Sequence, residues 1–343
     1  MIRFESDYTQ GAVPEIIERL AATNMEMSPG YGEDEYCESA REKIRKEINM
    51  PDADVHFLVG GTQTNLTFIA SAIKPYQGVI CADTGHIHVH ETGSIEACGH
   101  KLLTLPHTDG KISAEQVAAL NDSHYADPTF EHMVQPGMVY ISQPTENGTL
   151  YSRAELTALS EVCRERGLTL YMDGARLGYA LACKENDLTM ADIANLCDAF
   201  YIGGTKVGAL FGEALVITNE SCKKDFRYMM KQKGAMLAKG RLLGLQFDTL
   251  FTDGLYYRIS ENAASLAEKI RDAFERKGIE LFFDSPTNQQ FPLLTKEQYD
   301  TLAKDFVFCD WGMADGKYVV RFCTSWATDE KDVEKLVRAI ETL

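Results

Sequence analysis

Short apolar runs recur along the first part of this chain, each separated from the next by a longer amphipathic stretch. The runs are VHFLV (55–59), GVICAD (78–83), MVYIS (138–142), LTLYMD (168–173) and AFYIGG (199–204). This is a βαβ rhythm. Thr62 to Ile73, Ser113 to Leu120, Ser152 to Arg166 and Met190 to Leu196 read as the intervening helices. Ser152 with Glu155 three residues on forms a capping box at the start of the third. The expected fold class is α/β, a mostly parallel central sheet with helices on both faces.

After EALVIT (213–218) the texture changes to longer helical patterns, Lys239 to Phe251 and Ser260 to Lys277. We therefore expect a large α/β domain over 1–250 and a smaller α+β domain over 251–343. The second would hold the helix 260–277, the strand-like IELFFD (279–284) and KYVVRFC (317–323), and a closing helix from Asp329 to Leu343 with Thr328 as N-cap. Residues 1–20 are expected to pack against it. A chain of 343 residues is long enough for this arrangement.

Composition excludes several partner classes. A formal net charge of −17 argues against nucleic acid, whose phosphates require a basic stripe. No stretch approaches the roughly 20 apolar residues that span a bilayer, and MIRFESDYTQ lacks the basic and apolar regions of a signal peptide. A cytoplasmic location without membrane partners is expected. The nine cysteines are scattered with no C-x-x-C pair, and we read them as reduced core residues. Neither G-x-G-x-x-G nor the P-loop pattern is present.

In an open α/β sheet, ligands bind at the carboxyl ends of strands, so the polar residues just after each run are the ones to examine. Gly60-Gly61-Thr62 combines close backbone approach with amide and hydroxyl donors, which suits a phosphate or serves as an ordinary tight turn. Asp173 ends a nearly continuous apolar strand, where an unpaired carboxylate is costly. A protonated pyridine nitrogen would answer it, as would Arg176 or a helix cap. Lys206 follows AFYIGG among small residues, either as a solvated surface amine or as one depressed in pKa and able to attack an aldehyde. His86, His88 and His90 in GHIHVHE would share one face of an extended segment. We expect His86 to stack on an aromatic cofactor ring and expect no metal, since no carboxylate or cysteine at familiar zinc spacing accompanies them.

Taken together, FESDYTQG, GYGED, GGTQTN, GHIHVHETG, MDGARLGYA, the lysine in GGTKVGALFG and VRFCTSWAT resemble the L-threonine aldolase and β-eliminating lyase family. The motifs stand in the family's order and cover nearly the whole chain. The resemblance implies the fold type I architecture of pyridoxal-phosphate (PLP) enzymes, as a homodimer or homotetramer with sites completed across subunits. It also implies roles. Lys206 would be the Schiff-base lysine, Asp173 the partner of the pyridine nitrogen, His86 the stacking residue and candidate base, and Gly61 with Thr62 phosphate donors. Ser6, Arg176 and Arg321 would hold an amino-acid carboxylate, and Tyr31 would reach the site from a neighbouring subunit. The implied reaction splits a β-hydroxy amino acid into glycine and an aldehyde. A planar guanidinium pairs with a carboxylate at two points and so fixes which bond stands perpendicular to the ring.

Two departures stand out. Where family aldolases commonly read E-N-T-H-N-G, this chain reads Gln143-Pro144-Thr145-Glu146-Asn147-Gly148, so Glu146 takes the place of a histidine near the substrate hydroxyl. A segment ending in Met-Arg-Gln is replaced by KGAMLAKGR, which leaves Lys231, Lys233 or Lys239 to substitute for a phosphate-binding arginine. Other PLP chemistry, as a β-eliminating lyase or an aminotransferase, and a catalytically silent binding protein stand as alternatives.

Overall fold

The computed structural model describes residues 1–343. Its centre is a seven-stranded sheet made of β1 (Asp54–Leu58), β2 (Gln77–Ala82), β3 (Leu102–Leu105), β4 (Gln135–Ser142), β5 (Thr169–Asp173), β6 (Ala199–Gly203) and β7 (Glu213–Ile217). The order across the sheet is β1-β7-β6-β5-β4-β2-β3. Only β7 runs against the others, pairing antiparallel with both β1 and β6. The expected runs all form strands; β3 is one the apolar pattern did not reveal, and in LLTL, at the sheet margin, only Leu102 is buried.

Side chains alternate across the sheet as the pleat requires. In β4, Val139 and Ile141 enter a core of 42 buried residues on one face, and Met138 and Tyr140 enter a core of 20 on the other. The helices Gly61–Ala72, Ala114–Ala126, Arg153–Arg166 and Met190–Leu196 cover these faces. Ser152 and Glu155 form the expected capping box.

A third core joins the end of the chain to its beginning. Ile2 and Arg3 pair in parallel with Phe306 and Val307, and Phe4 packs with Phe322, Val333 and Leu336. The helix Leu255–Arg276 crosses between the cores: Leu255, Tyr256 and Ala263 belong to the first, Leu266, Ile270 and Phe274 to the third.

Three local expectations need correction. IELFFD is not a strand: Leu281 makes one isolated bridge to Pro292, and Phe282 turns out to solvent, so the run of apolar residues has no second face to bury. The closing helix is capped by Asp329, whose carboxylate accepts from Lys331 N at 2.9 Å, because the Thr328 hydroxyl already accepts from Ser325 N at 2.8 Å. His86–Val89 is a helical turn rather than an extended segment, so His86 and His90 share a side while His88 points to solvent. No helix is long and apolar enough to cross a membrane.

Candidate active site

Leu58, Glu213, Gly203, Ser142 and Asp173 stand at one rim of the sheet. The register pairs Leu58 with Glu213, Glu213 with Gly203, and Ser142 with Asp173. Above this rim lies a cavity of about 590 Å³ lined by Gly60, Gly61, Thr62, His86, His90, Glu146, Asp173, Arg176, Lys206, Glu213 and Arg321, among others. That volume suits a small ligand together with a cofactor.

Asp173 forms the floor. It is buried, and its carboxylate accepts from Tyr201 Oη at 2.5 Å and Ala175 N at 3.0 Å on Oδ1, and from Tyr140 Oη at 2.7 Å and Asn65 Nδ2 at 3.0 Å on Oδ2. Burial alone would push its pKa up; the positive field of His86 and the donors Tyr201, Tyr140 and Asn65 outweigh it and hold the group ionised, below the ordinary value. The tyrosines reach it because Tyr171 and Asp173 lie two apart on one face, beside Tyr140 and Tyr201 of the flanking strands. Gly174, next in sequence, has no room for a side chain: a Cβ would lie 1.9 Å from Tyr201 O.

Asn65 carries the network outward. Its Nδ2 also donates to Glu91 Oε1 at 2.8 Å, and its Oδ1 accepts from Tyr171 Oη at 3.0 Å. Glu91, a buried carboxylate, binds His86 Nδ1 at 2.8 Å and Ser94 Oγ at 2.8 Å. Burial would lower the pKa of His86, but the bond to Glu91 and the charge of Asp173 raise it overall. The ring is therefore fixed in orientation and drawn toward the imidazolium.

Lys206 enters from the β6–β7 connection. Its Nζ has no hydrogen-bond partner in the protein, and its pKa lies below the usual lysine value because burial and the Arg176 charge outweigh Asp7, Asp173 and Glu213. A depressed, unpartnered amine facing a cavity is a nucleophile for carbonyl carbon.

Arg176 and Arg321 are the cavity's two arginines, with different engagements. Arg176 Nε and Nη2 grip Asp7 at 2.6 and 3.0 Å, leaving Nη1 without a protein partner. Arg321 donates from Nη1 to Gln289 Oε1 at 3.2 Å and from Nη2 to Glu5 O at 3.1 Å, and lies 4.8 Å from the Trp311 ring centre. Its buried Nε has no partner. Ser6 does not line the cavity; its Oγ accepts from Tyr8 N at 3.4 Å, between Glu5 and Asp7. Tyr31 also lies outside it in its own chain, under the Lys231 ammonium at 4.7 Å. None of Lys231, Lys233 and Lys239 lines the cavity; Lys233 Nζ sits 3.3 Å from Cys98 Sγ.

Sequence reasoning missed Glu213, Asp7, Asn65 and Glu91. Glu213 is 3% exposed, accepts from Gly204 N at 2.9 Å, and is raised to about 7, by burial first and by the Asp173 charge. Its signal was available: a lone carboxylate opening the wholly buried run EALVI poses the question Asp173 poses in closing its own.

A mostly parallel sheet with an unpartnered lysine amine and a buried, ionised aspartate at its carboxyl rim defines a fold type I PLP-dependent enzyme. Comparison with known proteins narrows the class. Residues 3–277 match the model of the beta-eliminating lyase family. The chain is 32% identical to the low specificity L-threonine aldolase of Pseudomonas sp. (strain NCIMB 10558), over 99% of this chain and 97% of that protein. The counterpart from Pseudomonas aeruginosa is also 32% identical, over 98% and 96%. A solved structure of Leishmania major threonine aldolase superposes with a TM-score of 0.96 at 43% identity, covering 100% of this chain and 99% of that one. A histidinol-phosphate aminotransferase from Clostridium acetobutylicum, at 15% identity and a TM-score of 0.74, shares the fold. The chain belongs to the beta-eliminating lyase family, on its threonine aldolase branch.

Proposed function

We propose that this protein is a PLP-dependent aldolase of low specificity that cleaves L-threonine and related β-hydroxy amino acids to glycine and an aldehyde. The observation that carries the reading is the placement of Lys206, with its free and depressed amine, in one cavity with ionised Asp173. The residues fit the cofactor. Asp173 is an anion held at the floor of an otherwise apolar strand, and Gly61 opens the helix Gly61–Ala72 where its absent Cβ leaves a cradle beside Tyr201. Lys206 would hold PLP covalently, Asp173 would pair with its ring nitrogen, and Gly61 with Thr62 would face its phosphate.

Bound there, PLP supplies an electron sink for the bond broken at Cα. The chain's own groups decide which bond that is. Arg321 and Arg176 Nη1 converge on the cavity as the cations for the substrate carboxylate, with Ser6 close in sequence to both of their anchors, Glu5 and Asp7. Clamping the carboxylate turns the Cα–Cβ bond toward the perpendicular. The His86 ring, fixed by Glu91, borders the same space for stacking.

We assign the enzyme to the cytoplasm, where nine free cysteines are at home in a reducing milieu. We also propose a homodimer or a homotetramer, supported by the exposure of Met25, Met27, Tyr31 and Tyr228, large apolar side chains that a single chain leaves open to solvent. Its partner molecule in catalysis is a small amino acid.

The test is an absorbance scan of PLP-loaded protein before and after L-threonine, with acetaldehyde followed by a coupled dehydrogenase. A band near 420 nm with acetaldehyde release is expected. Release of a 2-oxo acid instead would transfer the enzyme to the eliminating lyases or aminotransferases, and no cofactor band would overturn the proposal.

A further inference from the structure

We infer that Glu146 is the group that takes the proton from the substrate's β-hydroxyl, an assignment that rests on the aldolase reading and names the base it requires. β4 ends at Ser142 on the cavity rim, and the chain then folds into a tight turn in which Thr145 N donates to Thr149 O and Gly148 N to Thr145 O, both at 2.9 Å. Thr145 and Asn147 are buried on either side. The Glu146 side chain, between them, is directed back to the cavity.

Its two oxygens are treated differently. Oε1 accepts from His86 N at 2.9 Å and from Ser142 Oγ at 2.8 Å, two donors that fix the plane of the carboxylate. Oε2 accepts no hydrogen bond from the protein. A carboxylate anchored through one oxygen and bare at the other, in the cavity that holds Lys206, is built to meet a donor from a ligand, and a β-hydroxyl is such a donor.

Competing acceptors are placed less well. His86 is engaged by Glu91 and drawn toward its protonated form, which has no lone pair to offer. His90 is drawn toward its neutral form, by burial first and by the His86 charge, but its ring lies 5.6 Å from that of His86, toward Trp311. Asp173 lies at the cavity floor, already accepts four hydrogen bonds, and would be committed to the ring nitrogen.

Burial raises the pKa of Glu146 above the usual carboxylate value, and the Asp173 charge adds to this; Ser142, its own backbone and His86 oppose. A carboxylate of raised pKa is the stronger base and takes up the hydroxyl proton more readily than an ordinary one. His86, Asp173 and Lys206 share its cavity, and Cys81, Tyr140 and Tyr151 feel its charge from below.

The step balances without an outside reagent. The β-hydroxyl proton moves to Glu146 Oε2, the O–H pair becomes the second bond of the aldehyde C=O, and the Cα–Cβ pair remains at Cα. Cα then takes up one proton to give glycine, and Glu146 releases one.

The experiment compares wild type, Glu146→Gln and Glu146→Asp, all PLP-loaded, in three readouts: acetaldehyde release from L-threonine, hydrogen–deuterium exchange at Cα of glycine, and the glycine-dependent change in the cofactor spectrum. Glycine has no β-hydroxyl and needs no acceptor there. We expect Glu146→Gln to lose cleavage by about 10²–10⁴-fold, with its acid limb in the pH profile gone, while glycine exchange and the glycine titration stay within about tenfold. Glu146→Asp should recover part of the cleavage. Glu146→Gln cleaving threonine within about tenfold of wild type would overturn the assignment, as would a parallel loss of glycine exchange or a larger loss in His90→Asn. Wild type that exchanges glycine yet releases no acetaldehyde would instead sink the aldolase reading, and the assignment with it.

Discussion

Arg176 closes a two-point ion pair on Asp7, Nε to Oδ2 at 2.6 Å and Nη2 to Oδ1 at 3.0 Å, and so ties the N-terminal segment to the floor of the cavity. Asp7 is fully buried and takes a further bond from Asn288 Nδ2 at 2.9 Å. This pair joins the large sheet to the segment whose next neighbours, Phe4 and Glu5, touch the third core and Arg321.

Asp7→Asn should destabilise the protein by about 3–5 kcal/mol, since it strands a largely buried guanidinium. Burial raises the pKa of Asp7, but Arg176, Lys206 and Asn288 bring it down to about 2, below the ordinary 3.8. A depressed carboxylate pKa stabilises the fold above the unfolded value, and that share is lost as pH falls through the folded one. The wild-type advantage over Asp7→Asn should thus shrink between about pH 4 and about pH 2. Urea midpoints measured across that range check it; a constant gap would refute the pairing.

Glu213 has the opposite sign. The fold favours its neutral form, so folding takes up a proton between the ordinary value of 4.5 and about 7. Its share of stability is full below the unfolded value and vanishes as pH rises through the folded one. Cofactor-free wild type should lose up to about 3 kcal/mol relative to Glu213→Gln across that window, and the two should run parallel below it. Melting temperatures against pH decide the matter.

What hid Glu213 in the sequence also explains what was legible. Asp173 and Lys206 follow strands that run toward the rim, so looking just after each apolar run finds them. β7 is reversed, and its first residue, not the one after its last, comes to the same rim. Strand direction is a property of pairing, which a single apolar run does not carry. GHIHVHE fits a two-residue and a four-residue period equally at its ends, and only packing of Ile87 into the second core selects the helical turn. Asp7 sits in a segment without periodicity, and its partner lies 169 residues away.

Asn65 is the single bridge between Asp173 and the Glu91–His86 pair, with Nδ2 shared between the two carboxylates and Oδ1 bound by Tyr171. Asn65→Ala takes one donor from each carboxylate, which keep their other partners, and leaves the buried Tyr171 Oη without its acceptor, at about 1–3 kcal/mol for that orphaned hydroxyl. Asn65→Asp is sterically milder but sets a third carboxylate against two others, and should weaken both the fold and PLP binding more than alanine does. Equilibrium unfolding and PLP titration of the two variants give the order; aspartate tolerated better than alanine would mean that one of the carboxylates is protonated.

Gly61 meets the cofactor end of the cavity under a steric limit set by another residue. A Cβ there would lie 2.9 Å from Tyr201 Oη, and that hydroxyl is pinned by its 2.5 Å bond to Asp173. Tyr201 lies buried in the second core, so its ring has no room to withdraw. Gly61→Ala should therefore displace either the turn or the tyrosine, at about 1–3 kcal/mol, and weaken PLP affinity through the shifted helix start. Removing the hydroxyl relieves the contact, so Tyr201→Phe in the Gly61→Ala background should restore part of the affinity, although Tyr201→Phe alone weakens the hold on Asp173. A double-mutant cycle on PLP binding and melting temperature reads this as coupling between the two sites. Strict additivity would show that the glycine is required by the phosphate itself and not by the tyrosine behind it.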